Sequence, residues 1–82
     1  MLGAAQPEQA RAQYRAALSA ATEAGNPSYQ ARAHDGLAKV SRELGDLGPA
    51  RRHWQEALTR FEELGVPQAA EVRARLASLN HG

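Results

Sequence analysis

One string recurs at a separation of 40 residues, and it limits the possible folds more than any other feature of the chain. Ala10 meets Ala50, Arg11 meets Arg51, Tyr14 meets Trp54, and Ala17-Leu18 meets Ala57-Leu58. Glu23 meets Glu63, Gly25 meets Gly65, and Pro27 meets Pro67. The shared pattern is A-R-x-x-aromatic-x-x-A-L, then E-x-G-x-P. Alanine coincidences come easily to a chain with eighteen alanines, but the aromatic, glycine and proline matches do not depend on them. A repeat of this length implies units that bury their faces against one another in an α-solenoid.

The segments inside the repeat read as helices, and the fold class as all-α. Apolar residues return at helical spacing in four stretches, about 8–24, 27–44, 47–64 and 67–79. The stripes are Ala10, Tyr14, Ala17, Leu18 and Ala21; Tyr29, Ala33, Leu37, Val40 and Leu44; Ala50, Trp54, Ala57, Leu58, Phe61 and Leu64; and Ala69, Val72, Leu76 and Leu79. Strong helix formers dominate and isoleucine is absent, so strands have little material. Asn26-Pro27 reads as a cap followed by proline at the first helical position, and Asp46 can cap the third helix. Gly25, Gly45 and Gly65 stand where a helix closes in the left-handed conformation. The short connections require antiparallel neighbours. Residues 1–7 are expected to be disordered or foreign to the natural chain, 8–80 to form one helical-repeat domain, and 81–82 to be a tail.

The stretch from Arg32 to Leu58 resembles a tetratricopeptide (TPR) repeat. Leu37-Ala38 fits its first helix, Gly45-Asp46-Leu47 its turn, and Ala50, Trp54 and Ala57-Leu58 its second helix. In that family the small residues, here Ala38, Ala50 and Ala57, let two helices approach, and the aromatic fills the gap between them. Ser41 departs from the usual tyrosine, and the second helix runs past the usual proline to Leu64. Residues 8 to 80 as a whole are similar to the C-terminal repeat region of actinobacterial transcriptional regulators of the antibiotic-regulatory, signal-transduction ATPase type. The resemblance implies a protein-interaction or sensor module, cytoplasmic, in signal transduction and transcription regulation. In that frame the chain holds a second helix, one complete pair and a closing helix, and is expected to be the C-terminal segment of a longer protein. The alternatives are a free-standing small adaptor and a purely structural solenoid cap.

No arrangement of residues suggests catalysis, so the chain is expected not to be an enzyme and to need no cofactor. The only lysine, Lys39, follows Ala38, so there is no phosphate-binding G-x-x-x-x-G-K-[ST] loop. There is no cysteine, which removes thiolate metal sites and cysteine nucleophiles. His34, His53 and His81 lack metal-ligand spacing. His34 and Asp35 are adjacent and point in different directions on a helix, so they cannot by themselves form a base and its orienting acid. Ten basic and nine acidic residues give a net charge of +1, against a direct nucleic-acid partner. No run approaches the apolar length of a membrane span, and the first eight residues do not read as a signal peptide.

One constellation points to binding. Arg32, Asp35, Lys39 and Arg42 recur at i, i+3, i+7 and i+10 on one helix stripe. By the resemblance, that stripe lines the inner, concave face of the solenoid. Three cations around one acid suit an acidic peptide or a chain-terminal carboxylate; the plainer alternative is a solvated face. Trp54 fits core packing better than ligand stacking, and Gly36, costly in mid-helix, fits a close approach between helices. Candidate partners are therefore a protein or peptide, an acidic one among them, upstream domains of the same chain, or a second copy met through the exposed first helix.

Overall fold

The computed structural model describes residues 6–80, and the expectations for residues 1–5 and for the tail at 81–82 lie outside it. Four helices follow in order: α1 (Pro7–Ala24), α2 (Pro27–Glu43), α3 (Leu47–Leu64) and α4 (Gln68–Asn80). Helix α1 takes in Pro7, one residue earlier than its apolar pattern suggests, because proline is tolerated in a first helical turn. Each junction is closed by glycine in the left-handed region, with φ of 64° at Gly25, 83° at Gly45 and 68° at Gly65. The Asn26 side chain caps α2 by accepting from the Tyr29 amide at 3.1 Å. Asp46 stands at the N-cap of α3, but its side chain makes no capping bond. Its carbonyl instead accepts from the Ala50 amide.

The helices pack in chain order, α1 on α2, α2 on α3, α3 on α4. Helix α2 is therefore held on two sides. It buries Ala33, Leu37 and Val40 on one stripe and Ala31, His34 and Ala38 on another. Alanines at 31, 38, 50 and 57, all with no exposed surface, bring α2 and α3 close, and Trp54, Phe61, Val72 and Leu79 complete the core. Gly36 has the close approach its position suggested. A β-carbon there would run into the Tyr14 ring of α1.

Several stripe residues lie outside this core. Tyr29 is 57% exposed, and Leu44 and Leu64 are also open to solvent. Each stands in a terminal turn or at a cap, beyond the reach of the neighbouring helix. In α1 only Ala21 is buried, because among the described residues α2 is the one helix that packs broadly against it.

Within α4 the repeat slips by one residue. Ala33, Leu37 and Val40 find their counterparts in Val72, Leu76 and Leu79, an offset of 39 rather than 40. Val72 and Leu79 are buried and Leu76 is half-buried. The slip amounts to one residue fewer between the 40-residue match at Pro27 and Pro67 and the buried stripe of α4, although α4 itself begins after Pro67 and α2 begins on Pro27.

Trp54 has no exposed surface, and truncating a buried aromatic costs about 3–5 kcal/mol. A chain this long holds roughly 4–12 kcal/mol in all. Trp54→Ala is expected to unfold the chain or lower its melting temperature by tens of degrees, read by circular dichroism. A melting curve unchanged within a few degrees would contradict the central place given to the ring.

Candidate functional site

A hollow of about 280 Å³ opens between α2 and α4. Helix α2 supplies Arg32, Asp35, Gly36 and Lys39, and α4 supplies Gln68, Glu71, Val72 and Arg75. Tyr14 of α1 and Phe61 of α3 complete its lining. Three of the four residues singled out on the α2 stripe thus meet here. Arg42 does not line the hollow; its guanidinium lies 5.0 Å from the centre of the Trp54 ring, in cation–π contact.

Asp35 is the electrostatic centre of the site. Its Oδ1 accepts the indole N–H of Trp54 at 2.8 Å. Lys39 Nζ lies 3.2 Å from its other oxygen, and an Arg75 guanidinium nitrogen lies 3.8 Å from Oδ1. One carboxylate therefore ties α2 to α3 by a hydrogen bond and to α4 by an ion pair. A wholly buried indole needs an acceptor, and an unsatisfied N–H would cost about 1–3 kcal/mol. Trp54 was legible as core from its spacing; that Asp35 is its acceptor was not, since the two stand on different helices. A sequence hint existed, because Asp35 interrupts the small-residue stripe of Ala31 and Ala38.

With Asp35 engaged, the groups left to meet a ligand are Arg32 and Lys39, helped by Arg75. Arg32 is exposed, its guanidinium 5.7 Å from the centre of the Tyr29 ring. The Lys39 side chain is 45% exposed. Arg75 is shared with Glu71 at 3.8 Å. Three cations stand against two carboxylates, a modest positive excess around an apolar floor made by Gly36, Phe61 and Val72. Such a surface can attract carboxylates, but it holds no nucleophile set beside a base.

The histidines form a contact that their sequence spacing did not announce. His34 on α2 and His53 on α3 bring their Nδ1 atoms to 3.0 Å. With ring centroids 5.2 Å apart, the two rings stand nearly end to end. That is the geometry of one shared proton, not of two ligands converging on an ion. Among the described residues, no group of three or more His, Cys, Asp or Glu is placed to hold a metal. Likewise, no helix among them is long and apolar enough to cross a membrane.

Comparison with known protein families, with curated proteins and with solved structures gives no match. The fold and the hollow define an all-α chain of four consecutively packed helices with a small, mildly basic recess.

Burial lowers the pKa of both histidines from the usual value. His34 is pushed further down by His53 and by Arg60 of α3, and His53 by Arg52 of α3 and Arg15 of α1; Glu56 opposes both. The unfolded chain therefore binds protons here before the folded one does. The stability held above the ordinary histidine pKa is lost as pH falls through it toward the lowered folded values. The melting temperature is expected to drop from about pH 8 to about pH 5, above the range in which carboxylates titrate. His53→Gln, which keeps a neutral polar group, should flatten that slope; an equally steep slope in the variant would refute the assignment.

Proposed function

We propose that the chain is a non-enzymatic, TPR-type binding module that takes an acidic protein segment through the hollow between α2 and α4. The observation that carries this reading is the division of labour around Asp35. The carboxylate is committed to Trp54 of α3, Arg75 of α4 and Lys39 of α2, which leaves the exposed Arg32 to face a ligand, together with the donors of the half-exposed Lys39 ammonium that do not point at Asp35. The four consecutive helices, the small residues between α2 and α3, and the buried aromatic at their crossing all agree with the tetratricopeptide pattern. In the same reading the module belongs to a larger cytoplasmic regulator, where it senses a partner or docks against upstream domains. A solenoid cap that binds nothing is the second reading, supported by the internal neutralisation of Arg75 and Lys39.

Exposed ion pairs contribute about 0–1 kcal/mol each, so binding is weak and falls with added salt. The test is calorimetric titration with Glu- and Asp-rich peptides, with free and with amidated C-termini, at low and high ionic strength. The wild-type chain should bind them saturably, and Arg32→Glu with Lys39→Glu should weaken binding about tenfold or more while helicity is kept. Arg42 is left unchanged, because its stacking on Trp54 would mix stability into the readout. Equal binding by the double variant, or none by the wild type, would favour the cap.

A further inference from the structure

The two ends of the helix stack are complementary halves of an interface that the molecule already contains. An open, mostly apolar groove of about 550 Å³ runs between α1 and α2, lined by Tyr14, Ala17, Ala21 and Ala24 on one side and by Tyr29 and Ala33 on the other. Moved along the repeat, Tyr14, Ala17 and Ala21 become Trp54, Ala57 and Phe61, and Ala33 becomes Val72. Those four counterparts are 0%, 0%, 4% and 1% exposed. They share one core cluster with Ala31 and Ala38, so in the second half of the chain it is α2 that covers this surface. Tyr14, by contrast, is 38% exposed.

Helix α4 carries the face that the groove lacks. At the offset of 39 set by Val72, Leu76 and Leu79, the α2 residues Ala31, Asp35 and Ala38 correspond to Ala70, Ala74 and Ala77. All three are exposed. In α2 this stripe packs on α3; in α4 no helix among the described residues covers it. Helix α1 is of the same kind as α3, as the matched strings show. An α4 from one molecule can therefore lie against α1 of another as α2 lies against α3 within one chain, with the other molecule's α2 standing beside it as α4 stands beside α2 across the hollow.

We infer that a second copy of this chain fills the α1–α2 groove with its α4, giving a head-to-tail contact. The fit is continuous with the internal packing, since it repeats the same order of helix types across the junction. The contact is heterologous: each molecule keeps one free groove and one free α4, so association continues beyond a dimer unless the rotation closes a ring. It is driven by apolar burial and is insensitive to salt, unlike capture of an acidic peptide. It does not rest on the peptide-binding reading, although Tyr14 and Arg32 border both recesses.

The experiment is sedimentation velocity on the full chain up to about 1 mM, where weak contacts become populated. Two variants place a charged, bulky group on exposed positions, Ala17→Arg in the groove and Ala74→Arg on α4, with helicity checked by circular dichroism. The wild type should grow beyond the dimer with concentration, and each variant alone should stay monomeric. An equimolar mixture of the two variants should form a one-to-one dimer and stop there, because the one intact groove and the one intact α4 that the pair possesses are used on each other. A wild type that stays monomeric throughout overturns the inference. So does self-association of Ala74→Arg at the wild-type level, which would mean that α1 pairs with α1. If one variant fails to fold, the other still decides between growth and monomer.

Discussion

The indole N–H of Trp54 is the constraint around which the other contacts are arranged. A ring with no exposed surface brings a donor into a place without water, and that donor must find an acceptor. Asp35 meets it from the neighbouring helix at 2.8 Å, which fixes how α2 and α3 face each other. Close approach is then possible only if the surrounding side chains are small, and Ala31, Ala38, Ala50 and Ala57 are. The carboxylate in turn needs positive company to remain charged where it is largely shielded, and Lys39 and Arg75 supply it. Core packing, the α2–α4 link and the polarity of the hollow thus trace back to one hydrogen bond.

Much of the fold was legible because it rests on local rules. The positive-φ glycines at 25, 45 and 65, the asparagine cap at 26 and the helix limits are dictated within a few residues of themselves. Trp54, Ala57 and Phe61 were readable as core because their spacing fits a buried stripe. Tyr29 and Leu44 misled for the same reason: periodicity reports a face, and it does not report whether a neighbour reaches that far along it. The one-residue slip in α4 was likewise hidden, because Pro67 still aligns with Pro27 while the helix begins after it.

The candidate site was legible only as a stripe. Its members on α2 could be named, but the closure by Gln68, Glu71 and Arg75 depends on how α4 settles against α3. Arg42 shows the limit of a helical wheel. It shares an angular sector with Lys39, yet a large flat ring within reach draws its guanidinium away from the recess. The pairing of His34 with His53, and that of Asp35 with Trp54, both join residues on different helices. No periodicity within one helix can register them.

The end-to-end imidazoles have a further property. A single proton between two Nδ1 atoms requires one ring to donate and the other to accept, so the neutral pair holds opposite tautomers. Whichever ring donates turns a bare Nε2 lone pair outward, while its partner presents an Nε2–H. Two polarities of the same pair are therefore available without moving a heavy atom. Passing from one to the other moves the shared proton across the Nδ1 pair and, for both rings to stay neutral, removes a proton from one Nε2 and returns one to the other through water. The seam between α2 and α3 therefore holds one proton in common, and the outer nitrogens of its two rings differ in hydrogen-bonding character although the rings are the same residue type.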